Sequence, residues 1–267
     1  MKPESALFAW LRHCVLRGWL RLKLGWQIMH QGAVILVLAL SPSSYRREHW
    51  GELARQIHAC TVPVLLWFML LSSLMGLVLI RILVVTALGY GLSNYAVDMV
   101  VRVLVLELIP LGAALFVATR VTLPQSSALL ALREQGGWAT LQAQGRDPLQ
   151  TWVLPRALAA MCSVFLLAGL SCVLALGLTY VSVYGFTPWA LASYVRMVGH
   201  VFSPVVSLIF VFKTLFFALI VALVPLASAM HDSPARRSRE RSELQSLARM
   251  VLLLLFIEAV SLLGNYY

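Results

Sequence analysis

Charged residues are scarce in this chain: Asp, Glu, Lys and Arg together make up 12% of its 267 residues. Soluble globular domains have roughly a quarter of their residues charged, which excludes an ordinary soluble domain. Apolar residues take the place of the missing charge, because 60% of the chain is hydrophobic and its mean hydropathy is +0.84. The composition therefore predicts an integral membrane protein with almost no soluble part.

The chain also lacks the motifs of common enzyme and nucleotide-binding sites. It has no G-x-x-x-x-G-K-[ST] phosphate-binding loop, so we expect no ATP site of that kind. It has no G-x-S-x-G or H-E-x-x-H motif, which argues against an intramembrane hydrolase or metalloprotease. The four cysteines have no metal-ligand spacing and are interpreted as packing residues. We expect no enzyme activity, metal or cofactor in this chain.

Acidic residues are outnumbered, with 11 Asp and Glu against 21 Lys and Arg. The basic residues flank apolar runs, a pattern that orients membrane proteins and does not indicate nucleic-acid binding. Five runs are long enough to cross a bilayer of about 30 Å at about 1.5 Å per residue. We place these predicted spans near residues 60–88, 96–121, 156–182, 202–229 and 247–264.

The basic residues lie mainly on one predicted side of the membrane. Of the 21 Lys and Arg residues, 17 lie in the segments 1–58, 120–156 and 232–249. By the positive-inside rule these segments are cytoplasmic, which places the N-terminus inside and the C-terminus outside. The odd number of spans argues against an inverted repeat that covers the whole chain.

The chain is divided at residue 58 into an N-terminal region, 1–58, and a five-span domain, 59–267. Within the first, residues 7–40 alternate basic and aromatic residues, which predicts an amphipathic helix in the membrane surface and no cleavable signal. The cytoplasmic loop 122–151 has glycine and proline turns on both sides of helix-compatible sequence, which predicts a helical hairpin. The basic loop 231–246 is interpreted as a solvated loop or, alternatively, as a docking site for anionic lipid headgroups.

Three ionisable residues lie deep inside the apolar runs: Glu107, Lys213 and Glu258. A charge at the centre of a bilayer costs about 3 kcal/mol or more, so such residues normally face the protein interior and pair. Two acids and one base on the second, fourth and fifth spans predict one buried cluster. The cluster is either a static ion pair that fixes helix packing or an element whose pairing changes between conformations. Acid–base chemistry by the two glutamates is possible in principle, but Lys213 offers the simpler role of a counter-charge.

Several short segments follow one another at fixed spacing. They are Glu107-Leu108-Ile109-Pro110, Ala113-Ala114-Leu115, Ala118-Thr119-Arg120, Gly145-Arg146-Asp147-Pro148, Leu154-Pro155-Arg156, Lys213-Thr214 with Phe217-Ala218, and finally Glu258. Together they resemble MlaE-type permeases, the membrane subunits of ABC transporters that work with MCE-domain proteins in bacterial lipid trafficking. The resemblance extends over nearly the whole chain from about residue 40.

The chain also departs from that family. Two family glycines are replaced by Ile109 and Thr119. The hairpin run that is usually acidic in the family reads Gly-Gly-Trp-Ala-Thr-Leu over residues 136–141, and an arginine-rich loop replaces a stretch rich in glycine and threonine. These differences are typical of a divergent member, whose ATPase contact and partner could differ.

The resemblance implies the permease subunit of an ABC-type phospholipid transporter in the bacterial inner membrane. It implies a separate ATPase that binds ATP and Mg²⁺, a periplasmic MCE-domain protein, phospholipid and a second permease copy as partners. The hairpin residues expected to couple to the ATPase are Arg133, Leu141, Gly145, Asp147 and Pro148. The candidate walls of a lipid pocket at the dimer interface are Trp67, Leu70, Leu71, Leu74 and Leu77, although ordinary packing explains the same stripe. A homodimer is favoured, and the alternative is a diverged subunit that pairs with another permease and anchors the complex without binding lipid.

Overall fold

The computed structural model describes residues 50–92, 95–145, 147–231 and 239–266. These ranges contain seven helices and a short 3₁₀ turn, Pro188–Ala190, and no strand. The helices are α1 (Trp50–Gly89), α2 (Ala96–Glu134), α3 (Gly137–Ala143), α4 (Leu149–Tyr184), α5 (Leu191–Val201), α6 (Pro204–His231) and α7 (Arg239–Tyr266).

Five of these helices are long and apolar enough to cross a membrane: α1, α2, α4, α6 and α7. The predicted all-helical architecture with five membrane-spanning helices is therefore confirmed. The helices extend beyond several of the predicted spans, because their polar ends continue the helical hydrogen bonding past the apolar run. The interfacial helix predicted for residues 7–40 lies outside the described residues, as do residues 232–238 of the basic loop.

Three of the prolines inside the long helices coincide with changes of helical type. Three π-helical segments, Val101–Leu108, Ala118–Thr122 and Leu149–Val153, are each followed by an α-helical segment that carries a proline in its first turn. These prolines are Pro110, Pro124 and Pro155. Proline has no N–H group and its ring collides with the carbonyl four residues earlier, and the wider π turn accommodates both effects.

Small residues allow the helices to pack closely. The central buried cluster contains Phe68 from α1, Ala114 from α2, Ala168 from α4, Ala218 from α6 and Leu254 from α7, so all five spans contribute to it. Without a strong hydrophobic driving force between helices in lipid, close contact of small side chains supplies much of the packing energy. Two further buried clusters continue this core toward the two ends of the bundle.

One element of the fold is absent from the sequence predictions. Helix α5 (Leu191–Val201) lies between the third and fourth spans and buries Tyr194 and Val201 against the bundle. The Tyr194 hydroxyl donates a hydrogen bond to the Leu176 carbonyl oxygen at 2.8 Å. Burial, together with the nearby Tyr184, raises the pKa of Tyr194 to about 12. This side chain therefore keeps its proton and acts as a hydrogen-bond donor at physiological pH.

Candidate functional site: a buried charge cluster and a helical hairpin

The three ionisable residues of the spans meet at one point inside the bundle. Glu107 lies in the π-helical part of α2, Lys213 lies on α6 and Glu258 lies on α7. Glu107 is 11 residues from the start of its span, and Lys213 is nine residues from the start of its own. At about 1.5 Å per residue both side chains lie roughly 15 Å from the same end of the bundle. This depth corresponds to the middle of a bilayer.

Lys213 is the centre of the cluster. Its Nζ donates to Glu107 Oε2 and lies 2.8 Å from Glu258 Oε2. The three side chains are nearly enclosed, with exposed fractions of 3% for Lys213, 10% for Glu107 and 12% for Glu258. The Glu258 oxygen receives no well-directed hydrogen bond from the described residues, so Glu107 is the better-bonded partner. A single ammonium group thus connects three membrane spans.

Two further contacts hold the ammonium group in place. Lys213 Nζ lies 3.3 Å from the backbone oxygen of Leu106. Pro110 is four residues later and has no N–H to form the usual α-helical hydrogen bond to that oxygen, and the Lys213 ammonium is a side-chain donor to it. The ammonium also lies 5.7 Å from the centre of the Phe217 ring, within the range of a cation–π contact.

The chemistry available to this cluster is electrostatic. Two carboxylates and one ammonium leave at most one net negative charge, and the low dielectric of the interior strengthens each attraction. No group of three or more His, Cys, Asp or Glu side chains suited to a metal ion occurs in the described part of the chain. The cluster can hold α2, α6 and α7 together, and it can change its pairing if these helices move.

The loop between the second and third spans forms a hairpin built on α3. Gly136 and Gly145 lie on either side of this helix with φ of 76° and 69°. These are left-handed conformations that glycine adopts without steric cost. At Gly137 a Cβ atom would lie 2.8 Å from the Trp152 ring and 2.9 Å from the Leu132 carbonyl oxygen. The hairpin therefore packs against the start of α4 through a position that accommodates only glycine.

The sequence-predicted coupling residues lie at the base of this hairpin. Arg133 lies in the last turn of α2, and its Nη1 donates to the Met230 carbonyl oxygen at the end of α6. Leu141 is the buried residue of α3. Asp147 Oδ1 accepts the Leu149 N–H at 3.0 Å, which caps the helix that follows. Gly145 and Pro148 complete the return of the chain to α4.

The candidate lipid-pocket residues lie on an exposed face of α1. Trp67 is 68% exposed and Leu74 is 60% exposed in the single chain. Leu70, Leu71 and Leu77 share that exposed face. The structure does not bring these residues together with the buried charge cluster. These residues can form the walls of a pocket only if a second surface lies opposite them.

Sequence reasoning missed polar contacts between the spans. The hydroxyl oxygens of Thr61 on α1 and Ser163 on α4 are 2.7 Å apart and buried. Gln125 Nε2 on α2 donates to Cys60 Sγ on α1 at 3.0 Å. Polar residues inside otherwise apolar spans are the sequence signal for such contacts, although that signal does not identify the partner.

Comparison with known proteins agrees with this architecture. A family model described as Permease MlaE matches residues 53–263, and a search among curated proteins finds no matching relative. The match extends from α1 into α7 and covers most of the chain, so the chain belongs to the MlaE permease family. It is a multi-pass transmembrane component of a transporter and not a catalytic subunit.

Proposed function

We propose that this permease is the membrane subunit of an ABC-type phospholipid transporter of the bacterial inner membrane. A separate ATPase binds ATP and Mg²⁺ on the cytoplasmic side, and a periplasmic MCE-domain protein receives or delivers the lipid. The observation that carries the proposal is the α3 hairpin, a short rigid helix between two spans on the side with most Lys and Arg residues. A subunit that must respond to ATP-driven closure of a partner needs such a projecting element.

The exposed face of α3 is the part available to the ATPase. Leu141 points into the bundle, whereas Ala139, Thr140, Gln142 and Ala143 are exposed. The base of the hairpin is held by the Arg133 contact with α6 and by the Asp147 cap. A push on the exposed face is thereby transmitted to two spans.

The lipid pathway in this proposal uses the exposed face of α1. A second copy of the chain covers Trp67 and Leu74, and the two faces enclose an apolar pocket for acyl chains. Of the most apolar part of this span, 22% is buried in one chain, against 61% for α2 and 11% for α7. The span therefore has free surface for such a contact.

Purification of the affinity-tagged chain from its native membrane tests the proposal. We expect an ATPase subunit, an MCE-domain protein and phospholipid to co-purify, as identified by mass spectrometry. Thr140→Arg on the exposed face of α3 should reduce ATPase co-purification. Ser193→Arg, on the exposed side of α5, is the matched control and should not reduce it. Purification of the chain with no ATPase at all would refute the proposal.

A second arrangement is favoured by one feature of the hairpin. Helix α3 has the sequence GWATLQA and carries no acidic residue, unlike the hairpins of the family it resembles. A permease that has lost this charge can pair with a different permease that makes the ATPase contact. Two permease species in the purified complex would establish the heterodimer, and a single species would establish the homodimer.

A further inference from the structure

A small cavity lies between α2, α6 and α7, at the end of the bundle that carries α3. Besides the apolar residues Leu130, Pro225 and Ala229, five oxygen-bearing side chains line it: Ser126, Ser127, Ser228, Glu243 and Ser246. Its volume of about 20 Å³ is enough for one particle of the size of a water molecule. None of these residues belongs to the charge cluster or to the hairpin described above.

Three of the hydroxyl groups present only acceptor lone pairs to the cavity. Ser126 donates to the Leu123 carbonyl at 2.7 Å, and Ser127 donates to the Pro124 carbonyl at 3.0 Å. Ser228 donates to the carbonyl of Val224 at 2.8 Å. A serine hydroxyl has a single hydrogen, so each of these oxygens can only accept a further bond or bind a cation.

The two remaining groups have no partner among the residues that the structure describes. Ser246 is 4% exposed, and its hydroxyl oxygen has no hydrogen-bond partner. A buried polar atom without a partner costs about 1–3 kcal/mol, a cost that an occupant of the adjacent cavity would remove. Among the side chains that the structure describes, none forms an ion pair with the half-buried Glu243. The lining therefore combines a single negative charge with several neutral oxygen ligands.

We propose that this cavity binds a monovalent cation, sodium or potassium. Oxygen-only ligands suit hard cations, and protein sites for Ca²⁺ and Mg²⁺ usually supply more than one carboxylate or a phosphate. One carboxylate matches one positive charge. A water molecule has only two hydrogens to donate to these oxygens and leaves the charge of Glu243 uncompensated.

The bound cation would connect the three helices at the base of the hairpin. Ser126 and Ser127 lie on α2 two turns before its end, where the chain turns into α3. Ser228 lies at the end of α6, and Glu243 and Ser246 lie near the start of α7. Loss of the ion would therefore loosen the segment that joins the hairpin to the spans.

Thermal unfolding of the purified full chain in lipid nanodiscs tests this proposal. The melting temperature is measured at constant ionic strength and pH in NaCl, KCl and N-methyl-D-glucamine chloride. We expect a saturable rise of about 2–4 °C with sodium or potassium and none with the organic cation. Radiolabelled sodium binding, with displacement by unlabelled sodium or potassium, provides a second measurement.

Two variants remove parts of the lining. Glu243→Gln should abolish the cation-dependent rise, and Ser246→Ala should reduce it. Ser261→Ala is the matched control, because Ser261 is also on α7 with an unpartnered buried hydroxyl but lies outside the cavity. It should keep the full response.

Other outcomes would overturn the proposal. Equal melting temperatures in all three salts, with no sodium binding, would mean that the cavity holds water. An undiminished cation response in Glu243→Gln would place the ion elsewhere.

Discussion

Replacing Lys213 by alanine is the most direct perturbation of the buried charge cluster. The substitution leaves Glu107 and Glu258 side by side in the core and leaves the Leu106 carbonyl without its donor. Removing one partner of a buried ion pair typically costs about 3–5 kcal/mol, because the remaining charge stays buried and uncompensated. A loss of that size is a large fraction of the roughly 5–15 kcal/mol that stabilises a typical protein. We therefore expect Lys213→Ala to reduce the yield and melting temperature of the assembled complex.

Neutral variants separate stability from function. Lys213→Met combined with Glu107→Gln and Glu258→Gln removes all three charges but keeps the side-chain volumes. Replacing a buried ion pair by neutral groups of similar size is often neutral or stabilising, so this triple variant should recover the melting temperature. If the cluster is a static ion pair, lipid transport should recover with it. If its pairing changes during transport, ATP-driven transport should remain low in the stable triple variant.

The assay measures melting temperature, ATPase rate and lipid transfer for the same purified complex. Cys162→Ala serves as the control, since Cys162 is a half-buried free thiol on α4 outside the cluster. Its smaller side chain should lower stability less than Lys213→Ala does. The reasoning would be refuted if Lys213→Ala assembled and transported lipid as well as the unchanged protein.

Three other changes test the hairpin and the packing of the spans. Gly137→Ala should weaken coupling between ATPase activity and transport, because the added methyl would lie 2.8 Å from the Trp152 ring. Gly112→Ala is the control, since Gly112 has open space around it. Equal ATPase and transport rates in the two variants would contradict the expected loss of coupling. Thr61→Val removes the hydroxyl contact between α1 and α4 and should lower stability by about 1 kcal/mol, measured as a lower melting temperature. Arg133→Met removes the bond from α2 to the end of α6 and should speed hydrogen exchange in α3, whereas unchanged exchange would mean that this bond does not hold the hairpin.

The number and type of the spans could be predicted from sequence. Which side of each span faces the protein interior could not. Hydropathy and length identify a membrane helix whatever its neighbours are. The spans are apolar on most of their faces, so periodicity does not distinguish a buried side from an exposed one. On α1, for example, Leu70 is 60% exposed while Phe68 is 4% exposed, and nothing in their chemistry separates them. Helix α5 was not predicted because it is too short to cross a membrane.

For the charge cluster too, the residues could be predicted from their chemistry, but not all of their contacts could. Because a lone charge in lipid is costly, we expect Glu107, Lys213 and Glu258 to pair with one another. The structure brings the three together. The role of Leu106 was not predicted, although a signal for it exists in the sequence. Pro110 leaves the carbonyl four residues earlier without its usual donor, so a cation on a neighbouring helix is a natural partner. Which helix supplies that cation depends on packing, which the sequence does not show.

The contacts between α2 and α6 bear on how the hairpin could move the spans. The two helices are joined by Glu107 and Lys213 in the membrane and by Arg133 and the Met230 carbonyl at the hairpin end. A tilt of one helix against the other must break at least one of these contacts or use it as a pivot. The Arg133 contact is only partly buried, so water can replace it at small cost. The buried ion pair has no such replacement, so breaking it costs more than breaking the hairpin contact.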